Sequence, residues 1–197
     1  MGDVWCMNVY DFDGTIYRGD SSVDFVKYCI KKNRNCLKAI PMIGIAGILY
    51  TLKKISTKEF KECFFSFLKE MDSNEIDRLI TEFWIIHKNR IATWYIKQHC
   101  EDDVVISASP RFLLEPIAEI LGINLLIATE MNKNTGHIFG ENCKGVEKVK
   151  RFREVLSGHK IGNFYSDSLS DCCLAEMADN AFLVNGDRIE PWSQSKG

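Results

Sequence analysis

Two hydrophobic patterns follow one another along the chain. Residues 4–10 form a short, mainly apolar run that predicts a first, buried β-strand. From about residue 21 to residue 100 the apolar residues recur at helical spacing, as in Ile76, Leu79 and Ile80. The sequence therefore predicts one strand followed by several successive helices.

Short strands and helices alternate in the second half of the chain. The predicted strands are residues 104–106, 123–128, 160–165 and 181–185, and the predicted helices are residues 110–121, 145–156 and 170–178. The turn Asn134-Thr135-Gly136 predicts a small hairpin within residues 129–139. Such alternation is typical of a parallel, doubly wound α/β sheet.

The helices before residue 100 interrupt this alternation. We therefore predict a core domain of residues 1–20 and 101–197 and a helical cap domain of residues 21–100, inserted after the first strand. The junctions near Ser21 and Cys100 are the expected hinges of the cap. We expect the tail from residue 194 onward to fray.

The apolar stretch of residues 39–52 in the cap has two interpretations. It contains about fourteen apolar residues between Lys38 and Lys53, fewer than the roughly 20 that span a bilayer. It could form a buried cap helix or hairpin. Alternatively, it could contact a membrane or a lipid substrate, with the flanking lysines near anionic head groups.

Composition and charge argue against several classes of protein. The net charge is −2, from 25 basic and 27 acidic residues, so we expect no nucleic-acid partner. The eight cysteines include no Cys-x-x-Cys and the four histidines are scattered, so zinc spacing is absent. The start shows no secretory signal, and we expect a cytoplasmic protein with reduced thiols.

Asp11 and Asp13 stand where the first strand ends. In extended geometry residues i and i+2 point the same way, so both carboxylates would face the edge at which open α/β sheets bind ligands. Two like charges so close need a cation or a shared proton. The pair indicates metal-assisted chemistry with one carboxylate as nucleophile.

Polar and charged residues also follow the later strands. They are Ser107 with the amides of Ala108 and Ser109, the lysines Lys144 and Lys148, and the acids Asp167 and Asp171. Amides before a helix can bind an anion, and a lysine can neutralise one. Each residue alone could be a helix cap or a solvated side chain, but their order, each after a strand, favours a functional site.

This ordered set resembles the four motifs of the haloacid dehalogenase superfamily, and the helical insertion resembles the cap of its phosphoserine-phosphatase-like subgroup IB. The string from Asp11 to Thr15 matches the first motif, Ser107 the second, and Asp167 with Asp171 the fourth. For the third motif, the string around Lys148 favours that residue, with Lys144 as the alternative. The resemblance implies a Rossmann-like core.

The resemblance also implies roles. Asp11 would be the nucleophile that forms an aspartyl-phosphate, and Asp13 would protonate the leaving oxygen and then activate water. Mg²⁺ would be held by Asp11, the backbone carbonyl of Asp13 and Asp167, with Asp171 orienting the metal site. Ser107 and the motif lysine would bind phosphoryl oxygens. Because dehalogenases of the superfamily lack the second aspartate, Asp13 favours hydrolysis of phosphate esters.

The substrate is less clearly indicated. Asp20 stands where phosphoserine phosphatases have a glutamate, and residues 107–110 read Ser-Ala-Ser-Pro where those enzymes have Ser-Gly-Gly. The string of residues 165–168 with Asp171, and the apolar residues 39–52, are similar to bacterial C-type phosphatidylglycerophosphatases. We therefore expect a small phosphomonoester or a lipid head-group phosphate. The alternatives are phosphoserine phosphatase, a phosphotransferase and a non-catalytic binding module; the oligomeric state stays open.

Overall fold

The structure, a computed structural model, describes residues 6–192 and contains a six-stranded sheet. Its strands are β1 (Cys6–Tyr10), β2 (Val104–Pro110), β3 (Leu125–Thr129), β4 (Lys160–Ser166), β5 (Ala178–Asn185) and β6 (Arg188–Pro191). Their spatial order is β3-β2-β1-β4-β5-β6, with β1 to β5 parallel and β6 antiparallel to β5. The predicted doubly wound α/β fold is confirmed. Residues 4, 5 and 194–197 lie outside the described part.

Helices occupy the connections between the strands. Between β1 and β2 lie α1 (Ser21–Lys32), α2 (Ile40–Thr51), α3 (Thr57–Phe64), α4 (Ser73–His87) and α5 (Thr93–Gln98), and later come α6 (Arg111–Leu121), α7 (Val146–Val155) and α8 (Cys172–Ala175). A capping box at α3 shows why the helix begins where it does: Ser56 accepts from the Glu59 amide, and Glu59 accepts from the Ser56 amide. The division into core and cap domains stays a prediction.

The apolar core lies on both faces of the sheet. Successive strand residues point to opposite faces, so Tyr10 joins one hydrophobic cluster and Val9 joins the other. The cluster around Tyr10 runs through α1, α4 and α6, and the cluster around Val9 packs against Phe152 of α7 and Leu174 of α8. This two-sided packing fixes the carboxyl ends of β1, β2 and β4 against one another.

Several predicted boundaries were wrong. Strand β2 runs to Pro110 because its pairing with β3 continues after a register shift between Ile106 and Pro110, so Ser107 lies in the strand. The predicted helix of residues 170–178 is reduced to a 3₁₀ turn and the four-residue α8, because Ala178 already pairs with β4. Strand β6 was not predicted. The predicted hairpin is present as a single bridge between Met131 and Ile138.

Helix α2 is mostly exposed, contrary to the interpretation of residues 39–52 as a buried helix. Ala46 is its one fully buried residue, whereas Ile45 and Ile48 are 60% and 62% exposed. Within residues 6–192, no helix combines the length and the apolar character that crossing a membrane requires. The exposure of the apolar side chains of α2 is therefore explained neither by burial in the cap nor by a membrane-spanning helix.

Candidate active site

A pocket of about 370 Å³ lies where β1, β2 and β4 end, facing α2 and α3. Its lining includes most of the sequence-predicted site residues: Asp11, Asp13, Asp20, Ala108, Ser109, Lys144, Lys148 and Asp171. Ser107 and Asp167 do not line this pocket but lie next to residues that do. The structure thus brings together side chains that are up to 160 positions apart in the sequence.

Asp11, Lys148 and Asp171 form a buried ionic cluster. The Lys148 ammonium donates to Asp11 Oδ1 at 2.8 Å and to Asp171 Oδ2 at 2.7 Å. Ser166 donates a further hydrogen bond to Asp171 at 2.9 Å. Burial by itself lowers the pKa of Lys148, but the two carboxylates outweigh it and raise that pKa, so the ammonium stays charged. Burial raises the pKa of Asp11, against the opposing effect of Lys148.

Asp13 is held separately from Asp11. The chain turns after Phe12, so the extended geometry expected for both acids ends there, and the two carboxylates have different partners. Asp13 accepts hydrogen bonds at 2.6 Å from the Ser21 amide and from the Ser109 hydroxyl. Burial, and then the nearby charge of Asp20, raise the pKa of Asp13 to about 6. A carboxyl group with that pKa can both donate and accept a proton near neutral pH.

Asp167 lies directly against Gly14. A β-carbon on Gly14, whose φ is +75°, would lie 2.0 Å from Asp167 Oδ2. The Asp167 amide donates to the Thr15 hydroxyl at 2.9 Å, which ties the end of β4 to the loop after β1. Burial, followed by the charge of Asp11, raises the pKa of Asp167 to about 6.

The acids around Asp11 fit a hard cation. Asp11, Asp167 and Asp171 outnumber the one buried ammonium, Lys148, and their mutual repulsion raises the pKa of Asp167. Carboxylate and carbonyl oxygens are the ligands that Mg²⁺ prefers. Within residues 6–192 no three His, Cys, Asp or Glu side chains converge at metal-binding distance. The set expected here needs only two such side chains, Asp11 and Asp167, because its third ligand is the backbone carbonyl of Asp13.

The second-motif residues have definite partners. Ser107 accepts from the Ser109 amide at 3.0 Å, so this amide, expected to face an anion, is already engaged by the chain. The Ala108 carbonyl accepts from Thr129 Oγ1 at 2.6 Å. Ser109 points its hydroxyl to Asp13. Ser107 therefore shapes the irregular, loop-like end of β2 at residues 107–109, and Ser109 contacts the candidate acid.

Lys144 and Asp20 lie at the pocket's edge. Lys144 is exposed, in contrast to the buried Lys148. Asp20 caps α1 by accepting from the Val23 amide at 2.8 Å, and its carboxylate also lines the pocket. Both residues can contact a bound molecule without being part of the buried cluster.

Sequence reasoning missed the side of the pocket formed by α3 and the neighbouring Tyr50. Thr57, Phe60, Lys61 and Phe64 line it, and Tyr50 stacks on Phe60 with ring centroids 4.9 Å apart. Their spacing of 0, 3, 4 and 7 on α3 places them on one helical face, a signal that the sequence did contain.

Lys61 is the most unusual of these residues. Its ammonium donates to the carbonyl of Ala108 and, at 3.3 Å, to Asn142 Oδ1, and within residues 6–192 it forms no ion pair. Burial lowers the pKa of Lys61 to about 8, against the opposing charges of Asp13 and Asp20. The pocket therefore holds a cation without a carboxylate partner of its own.

Comparisons of the sequence with known proteins identify a family and several relatives. The sequence model for haloacid dehalogenase-like hydrolases matches residues 9–176. Protein CicA of Caulobacter vibrioides is 27% identical over 91% of this chain and 86% of its own length. A probable phosphatase of Mycobacterium tuberculosis is 36% identical, over 44% of this chain and 33% of its own length.

Solved structures share the fold. A protein of unknown function from Bordetella pertussis has a TM-score of 0.75 at 20% identity, covering 89% of this chain and 87% of that chain. A substrate-bound phosphoserine phosphatase has a TM-score of 0.54 at 17% identity, covering 89% of this chain and 84% of that chain. At these identities the structures support the architecture of the sheet and helices.

Proposed function

Since the chain belongs to the haloacid dehalogenase-like hydrolase family and is one of its phosphatases, we propose that it hydrolyses phosphate monoesters with the help of Mg²⁺ and through an aspartyl-phosphate. One observation carries this proposal. Asp11, at the end of β1, is held by the buried ammonium of Lys148, while Asp13 is held apart from it by Ser21 and Ser109. Two acids with separate partners can have separate roles.

Asp11 is the proposed nucleophile. A carboxylate oxygen of Asp11 attacks phosphorus, the bond from phosphorus to the ester oxygen breaks, and protonated Asp13 gives its proton to the leaving alcohol. Asp13, now a carboxylate, takes a proton from water, whose oxygen attacks phosphorus. The bond between Asp11 and phosphorus then breaks, and inorganic phosphate and the free carboxylate result. The raised pKa of Asp13, about 6, supports both of its roles.

Other residues position the groups that react. Lys148 keeps Asp11 in place and balances its charge, and it is the motif lysine that we propose in preference to Lys144. Asp11, the Asp13 carbonyl and Asp167 would hold Mg²⁺, with Asp171 in a supporting role. Bound there, the ion would neutralise charge on the phosphoryl group. Ser107, through the loop that it shapes with Ala108 and Ser109, would help to bind the phosphoryl oxygens.

Removal of the metal ion tests this proposal. We expect the protein to hydrolyse an aryl phosphate with Mg²⁺, to lose turnover in excess EDTA and to regain it when Mg²⁺ is restored. Asp11→Asn, measured in parallel, should lower kcat by at least about 10³-fold because the nucleophile is gone. Water labelled with ¹⁸O should place the label in the released phosphate. Full turnover in EDTA or in Asp11→Asn would refute the proposal, and an unlabelled phosphate ester of another alcohol, formed in place of labelled phosphate, would indicate transfer to that acceptor.

Two substrate classes suit the pocket. A small phosphomonoester could be held by the cations Lys61 and Lys144 beside the aromatic side chains of Tyr50 and Phe60. A lipid head-group phosphate such as phosphatidylglycerophosphate would bring the enzyme to a membrane through residues 39–52. A screen of phosphoamino acids including phosphoserine, sugar phosphates, nucleotides and this lipid in detergent would separate the two classes.

Lys61 should bind an anionic group of the substrate, because it is an ammonium that faces the pocket without a carboxylate partner. Loss of one charged hydrogen bond costs about 1.5–3 kcal/mol, so Lys61→Met should raise KM by about 10-fold or more. The ammonium loses its proton as the pH rises through about 8, and kcat/KM of the wild type should fall there. Lys61→Arg should remove this alkaline decrease.

Lys58 provides the matched control for Lys61. It lies on the same helix and also donates to a carbonyl, that of Gly140, but it does not line the pocket. Lys58→Met should therefore leave KM and the pH profile of kcat/KM unchanged. An unchanged KM in Lys61→Met would show that Lys61 does not bind the substrate.

A further inference from the structure

Helix α2 has two distinct apolar faces. On the inner face, Ile43 packs against the core, Ala46 is buried, and Tyr50 stacks on Phe60. On the outer face, Ile45, Ile48 and Leu52 are about 60% exposed and follow one another at helical spacing. A helix that needed only its inner face would carry polar residues outside, so the outer face has a use of its own.

The segment of the sequence that contains α2 carries charges of one sign. Residues 25–58 contain eight of the chain's 25 Lys and Arg and none of its 27 Asp and Glu, although the whole chain is slightly acidic. Lys38 precedes α2, and Lys53 and Lys54 follow it, all three exposed. Within residues 6–192, Lys53 and Lys54 form no ion pair. An exposed apolar helix with cations at both ends is complementary to a surface that has an apolar interior and an anionic outer layer.

Two acids of α3, Glu59 and Glu62, line a groove together with Ile45 and Leu49 of α2. Glu59 is engaged in the capping box with Ser56, and Glu62 accepts a hydrogen bond from the Ile138 amide at 2.9 Å. Lys38 forms an ion pair with Glu70 at 3.2 Å, whereas Lys53 and Lys54 form none within residues 6–192. These two lysines are therefore the cations that α2 can offer to an external anionic group.

We propose that the outer face of α2 docks on an anionic lipid bilayer, with Ile45, Ile48 and Leu52 among the acyl chains and the flanking lysines at the head-group phosphates. The helix of 12 residues is about 18 Å long, too short to span a bilayer, so it lies in the plane of the interface. A second copy of the chain fits less well, because pairing two such helices in either direction brings lysines close to lysines.

Docking in this way would place the pocket at the head-group level. Tyr50 lines the pocket from the inner face of α2, so only the width of one helix, about 10 Å, separates the outer face from the pocket wall. An interfacial helix sinks about 5–10 Å, to the boundary of head groups and acyl chains. The catalytic consequence, access to lipid phosphates, rests on the proposed function; the docking itself does not.

Vesicle flotation of the full chain tests the docking. The probes are vesicles of phosphatidylcholine with about 30 mol% phosphatidylglycerol, and vesicles of phosphatidylcholine alone. We expect binding to the anionic vesicles that weakens with added salt. The double variant Ile45→Glu/Ile48→Glu should lower the partition coefficient by at least about tenfold, since two carboxylates would enter the apolar layer. Lys53→Glu/Lys54→Glu should weaken binding to the anionic vesicles.

The matched control is Ile85→Glu/Ile86→Glu, an equally exposed isoleucine pair on α4. It should bind vesicles as the wild type does, and thermal unfolding should show that all variants fold. The proposal would be overturned if the wild type did not bind the anionic vesicles, or if the two double isoleucine variants lost vesicle binding to the same extent. A different result would also overturn it: the wild type does not bind vesicles but forms a dimer in light scattering, and only Ile45→Glu/Ile48→Glu disrupts that dimer. Turnover of a soluble aryl phosphate, measured separately, reports on the proposed function alone.

Discussion

Lys148→Met should produce a protein that is both less stable and nearly inactive. The Lys148 side chain is 3% exposed and forms ion pairs with Asp11 and Asp171, which are themselves buried. Removing one partner of a buried ion pair costs about 3–5 kcal/mol, because the remaining charge is left uncompensated. For a chain of this size that lowers Tm by about 6–20 °C. We also expect kcat to fall at least about 100-fold, since the nucleophile loses its orienting cation.

Lys144→Met is the control for this experiment. Lys144 lies in the same segment and lines the same pocket, but it is exposed and forms no ion pair within residues 6–192. Its replacement should change stability by no more than about 0.5 kcal/mol, as thermal unfolding would show. Loss of turnover in Lys144→Met together with normal stability and turnover in Lys148→Met would reverse our assignment of the motif lysine.

Gly14→Ala should displace Asp167 and disrupt the candidate metal site. The new methyl group would lie 2.0 Å from Asp167 Oδ2 and 2.3 Å from its carboxyl carbon, distances that no native contact allows. Asp167 is exposed on one side although its carboxyl group is partly shielded from solvent, so the side chain can rotate away and the protein should still fold. We expect the Mg²⁺ concentration for half-maximal turnover to rise at least about tenfold, because a displaced ligand weakens the site. The increase in Tm on adding Mg²⁺ should shrink accordingly.

Gly122→Ala separates this steric effect from backbone strain. Gly122 ends α6 with φ of +70°, close to the +75° of Gly14, but a β-carbon there would meet nothing within 4 Å. Both variants should lose about 1 kcal/mol to the left-handed backbone conformation. Only Gly14→Ala should alter the response to Mg²⁺. Equal responses in the two variants would mean that Asp167 does not take part in metal binding.

Much of the fold was predictable because it depends on local patterns. The strand before Asp11 and the alternation after residue 103 follow from hydrophobic periodicity, which needs no knowledge of distant contacts. The boundaries that failed depend on pairing between strands. Ser107 lies in β2 because of a shifted register with β3, and α8 is short because Ala178 pairs with β4. The sequence shows neither pairing.

The sequence indicated many of the residues of the candidate site, but not how their side chains are arranged. The order of acids, serine and lysine after successive strands pointed to one edge of the sheet. The roles expected for those residues stay predictions. Asp11 and Asp13 line the same pocket, as expected, but a turn follows Phe12, and Asp13 accepts its hydrogen bonds from Ser21 and Ser109 rather than from Lys148. Lys61 was missed because a lysine on an amphipathic helix is normally solvated, and only the packing of α3 against the loop at Ala108 encloses it.

The sequence by itself determined the α/β class, the insertion of helices after β1 and the acids and lysine of the buried cluster around Asp11, since each depends on composition and spacing along the chain. The tertiary structure decided that Lys148 contacts Asp11, that Gly14 abuts Asp167 and that α2 has an exposed outer face. These three facts are distances and exposures set by elements far apart in sequence. They follow from how the helices pack on the sheet, which no local pattern specifies.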